Sequence, residues 1–139
     1  MEAMFFGCHR LETLDLSSFD TSSVNNMNQM LLECKALKSL NLSNFNTSLL
    51  TQASDMFREC QQLENLDISN FQTSQITNMD HMFYGCNSFK SLNLSHFDTS
   101  KVTSFQNMFG WCQSLETLDI SNFDTSSAEK LDNMFMHCE

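Results

Sequence analysis

A chain of 139 residues with 41% hydrophobic content can bury one core, which excludes a disordered tail. Its formal net charge of -10 argues against nucleic acid or an anionic lipid surface as the main partner, since both need a concentrated positive field. No apolar run approaches the roughly 20 residues of a membrane helix, which argues against membrane insertion.

The chain begins MEAMFFGCHR, without the basic start and apolar stretch of a signal peptide. It opens and closes inside a repeat, which suggests a piece of a longer array. There is no Pro and there are only 3 Gly, so the corners must be turned with Ser, Asn, Asp and Thr.

Residues 1–10 read as a partial repeat. Five 26-residue units follow, at about 11–36, 37–62, 63–88, 89–114 and 115–139. Cys8, Cys34, Cys60, Cys86, Cys112 and Cys138 are spaced by 26 throughout. Leu14, Leu40, Leu66, Leu92 and Leu118 align at the same period, as do Phe19, Phe45, Phe71, Phe97 and Phe123. A fixed period between about 20 and 50 residues marks a solenoid or a related array.

Each unit starts with alternation. Leu14 points in, Asp15 out and Leu16 in, which predicts a short strand with one buried face. The stretch F-D-T-S comes next, and its Asp, Thr and Ser suit a helix N-cap. Val24, Met27, Met30, Leu31 and Cys34 then recur at intervals of three and four, the stripe expected of a helical segment. One such unit cannot cover its own apolar faces, so neighbours must cover them. The predicted fold is therefore an α/β solenoid, a single repeat domain of right-handed leucine-rich-repeat type. A parallel β-sheet would form one side and short helices or helical turns the other.

The unit L-x-x-L-D-L-S-x-F-D-T-S-x-V-x-x-M-x-x-M-F-x-x-C resembles the BspA-like leucine-rich-repeat family of surface proteins. Residues 92–112, LNLSHFDTSKVTSFQNMFGWC, and 118–138, LDISNFDTSSAEKLDNMFMHC, show the likeness over a motif that spans essentially the whole chain. Departures stay apolar: Leu31 stands for Phe, Ala53 and Phe105 for Met, and Phe89 for Leu. The resemblance implies a cell-surface or secreted protein that binds a partner protein, such as an extracellular-matrix or host surface protein.

The residues themselves suggest no catalyst. Nearly every polar side chain is a copied position, and no nucleophile–base set, paired-carboxylate motif or glycine-rich phosphate loop is present. No C-x-x-C occurs and no His keeps register with Cys, so neither metal nor cofactor is expected and the cysteines read as buried free thiols.

On the strand face, one column reads Glu12, Lys38, Glu64, Lys90 and Glu116, beside Asp15, Asn41, Asp67, Asn93 and Asp119. Alternation of Glu with Lys avoids like charges on adjacent strands and also offers a charged recognition surface. Repeats differ most just before each Cys, where Tyr84 and Trp111 are of the types favoured at contact hot spots. These twelve residues form the candidate binding surface. The expected function is a protein-binding or adhesion module. The alternative is a structural solenoid that self-associates through uncapped ends, because MEAMFFGC and LDNMFMHC keep the ordinary apolar pattern.

Overall fold

The computed structural model describes all of residues 1–139. Its regular elements are five short strands: β1 Thr13–Leu14, β2 Ser39–Asn41, β3 Asn65–Asp67, β4 Ser91–Asn93 and β5 Thr117–Asp119. All pairings are parallel and in register by one repeat: Leu14 lies beside Leu40, Leu40 beside Leu66, and Leu92 beside Leu118. The alternation read from sequence holds, with Leu40 and Leu92 buried and their strand neighbours exposed. The strands form two sheets, β1-β2-β3 and β4-β5, with no pairing between β3 and β4.

The expected helices are absent, and what replaces them explains the misleading stripe. Residues 27–34 form consecutive β-turns: the Met30 N–H donates to Met27 O at 3.2 Å and the Cys34 N–H to Leu31 O at 3.0 Å. Gln29 and Glu33, third residues of these two turns, have φ of 57° and 61°, as a type II turn requires. First and last residues of each turn point inward, so M-x-x-M and F-x-x-C give intervals of three and four without a helix. Alternate N–H groups, which a helix would use internally, reach the next repeat. Gln29 N–H donates to Ser54 O at 2.9 Å, Leu31 N–H to Met56 O at 3.0 Å and Glu33 N–H to Arg58 O at 2.8 Å.

Further columns bind turn to turn. A ladder of single parallel bridges joins Asn26, Gln52, Asn78, Ser104 and Lys130 through all five repeats. The Thr column does not cap helices, as there are none to cap. Instead the buried Thr73 hydroxyl donates to Asp98 O at 3.0 Å and accepts from Asp98 N–H at 2.9 Å. Thr21, Thr47 and Thr99 clamp Asn46, Gln72 and Asp124 in the same way. The fold is thus a β-rich, solenoid-like stack, with parallel strands on one side and turns on the other.

The core runs along the stack as columns. Phe57, Phe83, Phe109 and Phe135 lie nearly parallel, with centroids 5.6, 5.7 and 5.5 Å apart. Cys34, Cys60, Cys86 and Cys112 are buried free thiols. Each donates its S–H to a carbonyl one repeat back: Cys60 to Leu31 O at 3.3 Å and Cys86 to Phe57 O at 3.1 Å. Burial pushes the Cys34 thiol up to about 11 and that of Cys112 up to about 12. Burial falls off toward the first and last repeats, where Cys8 is exposed and Cys138 half-buried.

Candidate binding surface

Strand alternation places the column of Asp15, Asn41, Asp67, Asn93 and Asp119, whereas Glu12, Lys38, Glu64, Lys90 and Glu116 lie just before the strands and are exposed beside them. Side chains alternate across a strand, so with Leu40 turned inward its neighbours on both sides face out. Glu12, Asp15, Lys38, Asn41, Glu64, Asp67, Lys90, Asn93, Glu116 and Asp119 are all exposed on this one face. Between the two columns runs a third that sequence reading passed over: Thr13, Ser39, Asn65, Ser91 and Thr117. The same period-two alternation signals it.

The inner column is held rigidly. Asp15 Oδ1 accepts from Ser17 N–H, Asn41 Oδ1 from Ser43, Asp67 Oδ1 from Ser69, Asn93 Oδ1 from Ser95 and Asp119 Oδ1 from Ser121, all at 2.9 or 3.0 Å. Asp and Asn do this equally well, because only one side-chain oxygen is needed. In the three Asp residues the other oxygen has no partner within the chain. Hydrogen bonds from Ser17, Ser69 and Ser121 hold the Asp15, Asp67 and Asp119 carboxyls below the usual carboxylate range, so they stay ionised.

The outer column pairs only in part. Lys38 Nζ meets Glu12 Oε2 at 2.8 Å, which lowers the Glu12 carboxyl and raises the Lys38 amine. Lys90 makes no ion pair with Glu64 or Glu116 within 4 Å, although the 26-residue period places it between them. The backbone explains one side of this. Lys38 N–H donates to Glu12 O, Glu64 N–H to Lys38 O and Glu116 N–H to Lys90 O, at 3.1, 3.3 and 2.9 Å. The matching bond from Lys90 to Glu64 is missing, and here the two sheets part. The repeat that opens at this point carries Phe89 where the others have Leu37, Leu63 and Leu115. Its buried ring packs edge-on to Phe83 at 6.4 Å, directly beside the parting.

His96 marks the same place. Asn44 and Asn70 each donate through Nδ2 to three carbonyls of the preceding repeat, whereas His96 reaches Ile68 O alone, at 2.9 Å. Two clefts open on the strand face. One of about 860 Å³ lies at the parting, among Glu64, Asp67, Lys90, Asn93 and His96. The other, about 640 Å³, lies over β1–β3, and both include Asn65 and Asp67.

Tyr84 and Trp111 are not part of this face; they sit in the turns. Tyr84 is half-buried, with the Arg58 guanidinium 5.2 Å from its ring centroid and its own ring laid over Gly110. A Cβ on Gly110 would stand 2.9 Å from Tyr84 Cδ2. Trp111 is 38% exposed and packs on His137 with centroids 4.3 Å apart. Arg58 and His137 stand one repeat from Tyr84 and Trp111, so the 26-residue period already places each pair in one column of the stack.

The chain matches a family described as Mycoplasma protein of unknown function, DUF285, over residues 1–90 and again over 62–139. It belongs to that family. The two overlapping matches together run the length of the stack, so the strand face and its clefts lie wholly inside DUF285 repeats. No curated protein and no solved structure matches the chain.

Proposed function

We propose that this DUF285 chain is a non-catalytic protein-binding module, an adhesion surface of the leucine-rich-repeat kind, which engages its partner through the strand face. The observation that carries this reading is the coincidence of both clefts with the one face whose outward residues are polar or charged in every repeat. The inner column is already fixed in place, so binding there would freeze few rotamers. The likeness to BspA-like surface proteins supports a macromolecular partner met outside the cell, such as a host or matrix protein. The test is capture of partners by the 139-residue chain, compared with variants reversed in charge at Glu64 and Lys90 and with Trp111→Ala. Loss of capture on strand-face reversal alone is the expected result. Capture that survives reversal but fails with Trp111→Ala would move the site to the turns.

A second reading, self-association, has its own observation. Leu131, Asn133, Phe135 and His137 keep N–H groups with no backbone acceptor, while the carbonyls of Glu2, Met4 and Phe6 accept nothing. In the interior, groups at these same positions bond to each other. Met4, Phe6, Leu131 and Phe135 are also 46–54% exposed. These faces fit another turn of the same kind, from a second copy or from further repeats of one protein. Sedimentation over a range of concentrations tests the first case, and a strict monomer would exclude it.

A further inference from the structure

The strand face carries charge in a spatial rhythm that the binding reading does not use. Its two charged columns hold six carboxylates, Glu12, Asp15, Glu64, Asp67, Glu116 and Asp119, against Lys38 and Lys90, a net charge of -4. The carboxylates fall in pairs on β1, β3 and β5 or beside them, while the intervening repeats offer Lys and Asn. Paired strands lie about 4.8 Å apart, so the acidic stations on β1 and β3, joined through β2, stand about 9.6 Å apart, and the β5 station follows across the parting of β3 and β4. A polyproline II chain rises about 3.1 Å per residue with three residues per turn, which places every third side chain on one face at about 9.3 Å. A β-strand puts same-side residues about 6.7 Å apart and does not match.

Resting on the strand-face reading above, we propose that this face docks an extended basic polypeptide. It lies along the stacking axis in polyproline II form, with Arg or Lys at every third residue. Each cation meets one acidic station. Lys38 and Lys90, between stations, repel a cation placed out of step. The middle station is the best equipped. Glu64 and Asp67 border the cleft of about 860 Å³, the free oxygen of Asp67 has no internal partner, and Glu64 O and Lys90 N–H are left unpaired where β3 and β4 part. An extended peptide, whose backbone makes no internal hydrogen bonds, has groups free to meet both.

The probe is the labelled heptapeptide Arg-Pro-Pro-Arg-Pro-Pro-Arg, set against its isomer with the three Arg contiguous, by fluorescence anisotropy with the 139-residue chain. Proline holds both peptides in polyproline II form, and their charges are equal. The spaced peptide should bind about tenfold more tightly or better, given up to about fivefold from each exposed charge contact. Asp67→Asn should weaken it by about three- to fivefold. That variant is expected to fold, because Asn41 and Asn93 make the same bond to their Ser N–H groups. Equal binding of the two peptides, or indifference to Asp67→Asn, overturns the proposal. If neither peptide binds while partner capture still depends on the strand face, the peptide inference falls and the binding reading stands. Capture indifferent to the strand face removes both.

Discussion

Thr73→Val tests whether the hydroxyl column holds successive turns together. Val keeps the shape of Thr and removes only the hydroxyl, which is 2% exposed in residue terms and makes two bonds to the Asp98 backbone. Two hydrogen bonds of about 1 kcal/mol each disappear, and the stranded Asp98 N–H and C=O add roughly 1 kcal/mol more. The added methyl returns up to about 0.8 kcal/mol. A net loss of about 2 kcal/mol follows, large against a typical stability of about 5–15 kcal/mol. Urea unfolding followed by the fluorescence of Trp111, the single tryptophan, reads it directly. The last member of the column supplies an internal control. Thr125 is exposed and its hydroxyl clamps nothing, so Thr125→Val should change stability by less than about 0.5 kcal/mol. Thr73→Ser should recover most of the loss. Equal effects at 73 and 125, or a change below about 0.5 kcal/mol at 73, would refute the clamp.

Thiol chemistry gives a graded expectation. Cys8 should react with a thiol reagent at once, Cys138 more slowly, and Cys34, Cys60, Cys86 and Cys112 only after unfolding; mass mapping of the labelled sites decides. Because burial raises these thiol pKa values in the folded chain, the unfolded chain ionises first as pH rises. Their contribution to stability is therefore complete below about pH 9 and is lost progressively toward pH 11 to 12, the range set by Cys34 and Cys112. Denaturation midpoints measured from pH 8 upward should fall, and a flat profile would contradict the burial. On the turn side, Gly110→Ala should destabilise by about 1–3 kcal/mol, because its Cβ meets the Tyr84 ring. The same change made together with Tyr84→Ala should be nearly neutral, and a double-mutant cycle separates this contact from a backbone effect.

The repeat, its register and the inward columns were legible because period and polarity leave a direct trace in one chain. Leu40, Phe45, Met56 and Cys60 are buried, as their spacing demanded. The helix was not legible as false. Inward residues at intervals of three and four arise from a helix and equally from successive type II turns, and the two differ only in backbone angle. Residues such as Glu59 and Trp111 at φ of 59° and 60° give no compositional warning, since glycine takes that position only at Gly7 and Gly85. The Thr column was misassigned for the same reason, because its partner lies one repeat away and not along a local axis. Exposure of the strand face follows from alternation, but the parting at Lys90 has no trace in the pattern, which treats Phe89 beside it as another apolar residue.

The bonds that join one turn to the next span nearly constant distances along the chain, 25 residues for the Thr clamps and 29 for the Cys thiols. Gain or loss of one whole turn would leave each remaining donor facing an equivalent acceptor. Gain or loss of a single residue would put a complete layer out of alignment. Genes encoding such a chain can therefore lengthen or shorten it by duplication or excision of intact modules, and reach can vary among descendants while the architecture does not.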